Sequence, residues 1–446
     1  VSMQHGDSSP AITGHSAAEI AESVRGLIER GALAPGAALP SVRALAESLG
    51  VNRNTAVAAY RQLAQAGLVV TLGRAGTHVA DRATLAQDGF AADSVLRDVG
   101  TGNPDPRLIP DMSAALTALA GRPVLYGEPV IDAGLAERAR AWLGDDVASP
   151  DEMRLTVTSG AFDAVERLLA QALTRDDAVA VEDPCFLATI RTVRLAGYRP
   201  VAVPVDEEGM TPDGLRAALA EGVRAVVCTP RAQNPTGASL SARRAAELRA
   251  ILAEHPYVLV IEDDHFSLLS RHPYHSIIGP EHRRWALVRS VSKFLGPDMC
   301  LAVTASDAET AERLAMRLSP GTTWVSHLLQ RLALALLTDS AALDTIERAG
   351  EHYAERNRSF AERLRRHGID TAPLDGLSLW VRLPLPARTV SERLMRRGWL
   401  ARTGDDFALS RGGAASHHLR LTVHGLDDAN AETLAADLAA ACAQRG

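Results

Sequence analysis

Apolar positions in the first eighty residues fall into three short helical stripes. Residues 1–15 are small and polar and read as a mobile tail. From Ser16, Ile20, Val24, Leu27 and Ile28 recur at helical spacing, and Gly31 ends the run. A second helix has Ser41 as its N-cap and stops at Gly50. Asn52 opens a third, NRNTAVAAYRQLAQAG, which ends at Gly67. The few residues around Gly50 give helix-turn-helix spacing. The next stretch, LVVTLGRAGTHVA, gives two β-prone runs around Gly-Arg-Ala-Gly and predicts a hairpin.

Residues 81–99 show no periodicity and read as a linker. From residue 100 the pattern changes. Apolar runs at 155–158, 178–183, 199–205, 225–230, 257–263, 285–290 and 301–305 predict strands. Amphipathic stretches near 160–173, 186–196, 212–220 and 241–254 predict helices between the first five. This βα alternation defines an α/β fold with a mostly parallel sheet covered on both faces. Such sheets bind ligands beyond the carboxyl ends of their strands. The large lobe is expected at about 100–335. A smaller α+β lobe with two long helices is expected at about 336–446.

Composition narrows the class. A chain of 446 residues exceeds one ordinary core, so two or three domains are expected. A net charge of −7 excludes a generic polyanion binder, though a single domain can still carry a basic face. Four scattered cysteines, Cys185, Cys228, Cys300 and Cys442, argue against a disulfide framework or a metal site and fit a reducing cytoplasm. No apolar run has the length of a membrane span, and no signal-peptide core opens the sequence. Of the 47 basic residues only Lys293 is a lysine; the other 46 are arginine. Lysine can lose a proton and attack a carbonyl, whereas arginine stays charged.

In residues 16–80, Arg43, Asn52, Arg53, Asn54 and Thr55 cluster at the starts of the second and third helices, and Arg74 sits on the hairpin tip. Helix N-termini contact phosphates, and Arg and Asn read guanine and adenine edges. Periodicity alone fits a protein–protein module equally well. The string GALAPGAALPSVRALAESLGVNRNTAVAAYRQLAQAGLVVTLGRAGTHVA, however, closely resembles the winged helix of GntR-family transcription regulators. That resemblance implies binding to double-stranded operator DNA through Arg43, Arg53, Asn54 and Thr55, with a wing spanning Gly73 to Gly76.

Lys293 follows the strand WALVRS in a motif SVSKFLGPD, where a Schiff-base amine of lowered pKa is expected. The groups that a pyridoxal 5′-phosphate site requires stand at other strand ends. Asp263 suits the pyridine nitrogen, and Asn234 in QNPTG suits the phenolic oxygen. Phe186 suits the ring face, and the helix start at Gly160, Ala161 and Phe162 suits the phosphate. Arg420 suits a carboxylate. Each alone has a bland alternative as a cap, core residue, turn or surface arginine.

In order, GNPDP, VTSGAF, VEDPCF, QNPTG, IEDDHF, SVSK and LRLTV resemble fold type I of the pyridoxal-phosphate enzymes, the aspartate-aminotransferase fold. The resemblance implies that Lys293 carries the internal aldimine, that Ser290 contacts the phosphate, and that Tyr126 reaches the phosphate of a partner in a homodimer. Joined to a winged helix, this domain resembles the MocR-type subgroup of GntR regulators. TPRAQNPTG, SVSKFLGPD and WVSHLLQ resemble its PtsJ-type members, which are associated with vitamin B6 metabolism.

Three positions depart from the pattern. Cys300 replaces the usual phosphate-clamping arginine seven residues after the lysine, which predicts weaker cofactor binding. His265 replaces the usual tyrosine at the phenolic oxygen, and Ile131 replaces a glycine. Two readings stay open: a regulator sensing pyridoxal phosphate, with or without an amino-compound effector at Arg420, and an active aminotransferase with an accessory DNA reader.

Overall fold

The computed structural model describes residues 12–66, 68–71, 76–80, 96–119, 123–318, 324–410 and 412–443. Most of the expected tail and linker, and Arg74 and Gly73 of the expected wing, lie outside them. The chain divides into two compact units, the first ending at Gln87.

The first unit contains α1 (Ala17–Glu29), α2 (Val42–Leu49), α3 (Arg53–Gln65), β1 (Val69–Thr71) and β2 (Thr77–Val79). Each helix opens on a side-chain cap. Ser16 accepts from Glu19 N–H, Ser41 from Ala44 N–H and Asn52 from Asn54 N–H. Capping satisfies donors that a helix start leaves unpaired, worth about 1 kcal/mol each. Gly50 ends α2 in the left-handed region at φ 64°, which its lack of a Cβ permits. Ile20, Val24, Leu45, Ala56 and Leu63 form the core together with Val69 and Val79 of the antiparallel hairpin. One feature went unforeseen. Residues 36–39 lie along β2, with Leu39 N–H donating to Thr77 O and Val79 N–H to Ala37 O, both at 2.8 Å.

The second unit begins with β3 (Arg97–Asp98), α4 (Ser113–Ala118), α5 (Ala133–Leu143), β4 (Arg154–Thr158), α6 (Ala161–Ala172), β5 (Ala178–Asp183) and α7 (Leu187–Leu195). It continues with β6 (Arg199–Asp206), β7 (Gly209–Met210), α8 (Pro212–Ala220), β8 (Ala225–Cys228), α9 (Ala242–Ala253) and β9 (Leu259–Asp263). Then come β10 (Trp285–Ser290), α10 (Ser292–Leu295), β11 (Ala302–Ser306), α11 (Ala308–Leu318) and α12 (His327–Thr338). The smaller lobe holds α13 (Ser340–Arg366), β12 (Leu379–Arg382), α14 (Ala387–Met395), β13 (Trp399–Leu400), β14 (Arg402–Thr403), β15 (His418–Leu421) and α15 (Asp428–Ala443).

An eight-stranded sheet runs β4-β11-β10-β9-β8-β5-β6-β7. The pairs from β10 through β9, β8 and β5 to β6 are parallel. The sheet is mostly parallel, as expected; β11, antiparallel to both β10 and β4, and β7, antiparallel to β6, are the exceptions. Strands β8 and β10 are buried at every residue, as expected of a sheet covered on both faces. Residues 97–99, read from sequence as linker, belong to this unit: β3 pairs in parallel with β13, and Val99 sits in the smaller lobe's core.

Candidate functional site

The carboxyl ends of β4, β5, β8, β9 and β10 open on a cavity of about 270 Å³. Its walls include Gly160, Ala161, Phe162, Phe186, Asn234, Asp263, His265, Ser290 and Lys293, all read from sequence as site residues. A chain sequence spread over more than 130 residues is thus gathered by the parallel strands at one end of the sheet.

Lys293 lies in α10, directly after β10, and its Nζ donates to Gly102 O at 3.0 Å. Asp263 ends β9. Its Oδ1 is sealed from solvent and has no hydrogen-bond partner among the described residues. Burial pushes its carboxyl up to about 7; the neighbouring Asp264 charge adds to that rise and Lys293 opposes it. An orphaned buried acceptor of this kind waits for a donor such as a ring N–H.

Asp264, the next residue, has the opposite environment. Burial works against its charge, but Arg231 and Arg289 hold its pKa below the ordinary carboxylate range. Arg231 Nε and Nη2 each donate to it at 2.8 Å, and Arg289 Nε donates at 2.7 Å. Arg289 is 1% exposed and is also tied to Asp146 and to Trp142 O. This network stiffens the end of β9 from behind.

At the opposite wall α6 begins without a side-chain cap. Gly160 occupies the cap at φ 91°, a conformation that L side chains rarely adopt, and an added Cβ there would meet only open space. Gly160, Ala161 and Phe162 line the cavity, so the start of α6, where a helix leaves its first N–H groups unpaired, lies at its wall. Ser290 and Ser292 supply hydroxyls, their Oγ atoms 3.1 Å apart. Phe162 and Phe186 stack, with centroids 5.1 Å apart at 29°. Together they offer a flat apolar surface.

Arg420 lies in a small adjoining pocket of about 30 Å³ that shares Asn234, His265 and Lys293 with the larger one. It is 1% exposed; its Nη1 donates to Asn234 Oδ1 at 3.1 Å, and its guanidinium lies over Phe407. Tyr126 is placed elsewhere. It is 90% exposed and packs against Trp324 rather than lining either cavity.

Sequence reasoning missed Glu182, Cys185, Thr189, Thr229, Ser292 and Pro297, which also line the larger cavity. Glu182 is buried and accepts from Thr229 N–H and Gln233 Nε2, both at 3.2 Å. Burial raises its pKa to about 7. The VEDP run contains it, but nothing in that run says which of its two acids faces inward. Cys300 lines the cavity too, its Sγ 3.3 Å from Pro297 O. Lys293 is the only Lys or Arg among the described lining residues.

In the first unit Arg43, Asn52, Arg53 and Asn54 are exposed, as expected of a DNA reader. Arg43 is engaged by Glu47 at 2.9 Å on the surface of α2. The Asn52 side chain is occupied as the α3 cap, which leaves Arg53 and Asn54 as the open side chains of that helix start. Thr55 is half-buried, and Gly76 adopts φ 88° at the start of β2.

The fold and site define a class. Residues 98–438 match the family model for aminotransferase class I and II, and residues 16–79 match that for bacterial regulatory proteins of the gntR family. The chain belongs to the class I and II aminotransferase family and, through its winged helix, to the MocR-type branch of the GntR regulators. Among its relatives is the vitamin B6 salvage pathway transcriptional repressor PtsJ of Salmonella typhimurium, 46% identical over 96% of this chain and 98% of that protein. The HTH-type pyridoxine biosynthesis transcriptional regulator PdxR of Corynebacterium glutamicum is 30% identical over 56% of each chain. In fold, the second unit is similar to the kynurenine aminotransferase of Pyrococcus horikoshii, with a TM-score of 0.71 and 22% identity, covering 79% of this chain and 91% of that one. No helix among the described residues is long and apolar enough to cross a membrane.

Proposed function

We propose that this transcription regulator senses pyridoxal 5′-phosphate through Lys293 and controls vitamin B6 salvage genes. One observation carries the cofactor reading: the chain's single lysine and the orphaned Asp263 Oδ1 open on the same cavity. Asp263 would hold the ring nitrogen, Asn234 and His265 the phenolic oxygen, and Phe186 the ring face. The α6 N-terminus at Gly160, Ala161 and Phe162, with Ser290, would receive the phosphate. When bound, the cofactor supplies an electron-withdrawing ring and a carbonyl that reacts with amines. The vitamin B6 assignment is supported by the names of PtsJ and PdxR.

The phosphate cradle contains hydroxyls, helix N–H groups and the Cys300 thiol, but no guanidinium among its described residues. A charge-assisted hydrogen bond contributes about 1.5–3 kcal/mol, or roughly 10- to 150-fold in affinity. Cys300→Arg is expected to tighten pyridoxal phosphate binding by that factor. Spectroscopic titration of both proteins measures it, and equal dissociation constants would reject a weakened clamp. Reversible binding suits a sensor of the free cofactor better than an enzyme that keeps its cofactor through turnover. Sustained transamination near ~1 s⁻¹ would instead favour the aminotransferase reading, for which Arg420 is the supporting feature.

A second copy of the chain would cover Leu125, Tyr126 and Leu328, large apolar side chains exposed in the single chain. A twofold dimer would present two winged helices to operator half-sites one or more helical turns apart. Arg53→Ala is expected to weaken operator binding by about 1–3 kcal/mol. Gel shifts on DNA upstream of the gene, with and without pyridoxal phosphate, test both the reader and the sensor. Unchanged affinity in the variant would move the recognition surface away from α3.

A further inference from the structure

One apolar side chain of the first unit is turned the wrong way for a core. Among that unit's described residues, Val57 is the only large apolar side chain that is exposed, at 43%. The rest of α3 packs as its pattern demands. Ala56, Ala59, Tyr60 and Leu63 face the core. The Tyr60 hydroxyl donates to Pro40 O at 2.7 Å and fixes the helix against the turn before α2. Val57 lies on the outer face. Side chains three and four residues apart share a helix face, so Asn54, Arg53 and Arg61 surround it, and all three are exposed.

Charge indicates what this face meets. α3 carries Arg53 and Arg61 and no acidic residue. α1 carries Glu19, Glu22 and Glu29 against a single Arg25. A purely cationic outer face suits the polyanionic surface of a duplex. A protein partner would be met by a contiguous apolar patch, whereas Val57 stands alone among polar side chains.

In the major groove the base edges present donors and acceptors and one apolar group, the 5-methyl of thymine. A valine pressed on any other edge takes polar base atoms out of water and returns no hydrogen bond. Against thymine it buries methyl on methyl.

We propose that Val57 is a base-reading residue of α3, seated on the 5-methyl of a thymine in each operator half-site. Arg53, Asn54 and Arg61 flank it toward the neighbouring bases and phosphates. This contact rests on the reading of the first unit as a DNA reader and deepens it. It adds to the half-site a thymine that no hydrogen bond specifies.

The test uses the full chain, with and without pyridoxal phosphate. Its preferred duplexes are selected from a random pool, and the tightest becomes the probe. Each thymine of the probe is replaced in turn by deoxyuridine, which lacks only the 5-methyl. One thymine per half-site is expected to lose about fourfold in wild-type affinity on replacement, the worth of one buried methyl group. Val57→Ala should bind the thymine probe about fourfold more weakly and show no thymine–uracil difference at that position. Other thymines should respond as they do in wild type. The variant is expected to fold normally, since the side chain is exposed and alanine is the better helix former. Its melting temperature checks this.

The proposal is overturned if Val57→Ala binds the probe as wild type does. It is equally overturned if every thymine–uracil difference survives in the variant, or if wild type shows none. Failure of the underlying DNA reading looks different: the pool then yields no preferred duplex, and the proposal goes with it.

Discussion

Lys293→Ala is expected to abolish covalent attachment of pyridoxal phosphate completely. Wild-type protein mixed with the cofactor should show a protein-bound visible band, and borohydride should fix one cofactor per chain. Peptide mass spectrometry should place the adduct at residue 293. The variant should show neither. The chain makes this unusually clean, because it has no other lysine and its 46 arginines cannot substitute. Lys293→Arg should therefore fail as fully as the alanine variant, although it keeps the positive charge. Retained tethering in either variant would put the reactive amine elsewhere and remove the basis for the site.

The second large effect is expected at Asp264. This carboxylate is 0% exposed and bridges Arg231 and Arg289, of which Arg289 is nearly as buried. Asp264→Asn would leave a buried guanidinium with only Asp146 for charge compensation. Removing one partner of a buried pair costs about 3–5 kcal/mol, because the remaining charge stays desolvated. Denaturant unfolding of the second unit should register a loss of that order. Asp146→Asn, at a site 26% exposed, should cost far less. A loss below about 1 kcal/mol at Asp264 would mean that water or rearrangement compensates the arginines.

The carboxyl ends of the strands were readable because function there depends on residue type and order. Asp263, Asn234, Phe186 and Lys293 each end or follow an apolar run, so their convergence followed from the parallel order alone. Strand direction was less accessible. The apolar pattern of β11 is the same in either orientation, and only its pairing with β4 and β10 reveals that it runs backward. The third strand-like segment at 36–39, Gly-Ala-Ala-Leu between Pro35 and Pro40, is made mostly of small residues and has no strand pattern to detect. Glu182 was missed because a buried acid at a strand end looks like any other acid in sequence. Arg420 illustrates the reverse: its chemical type was legible, but its tie to Gly100 depends on a backbone carbonyl, which every residue carries. Tyr126 was expected at the phosphate of a partner subunit; in the single chain its ring is exposed and packs against Trp324.

The pairing of β3 with β13 has a consequence for synthesis. Arg97 lies opposite Trp399, about 300 residues later in the chain. At roughly 5–20 residues per second, some 15–60 s separate the emergence of the two strands from the ribosome. The winged helix, whose core lies wholly within the first eighty residues, is complete throughout that interval. Each newly made molecule thus passes through a period in which its winged helix is complete while β3 still lacks its partner strand.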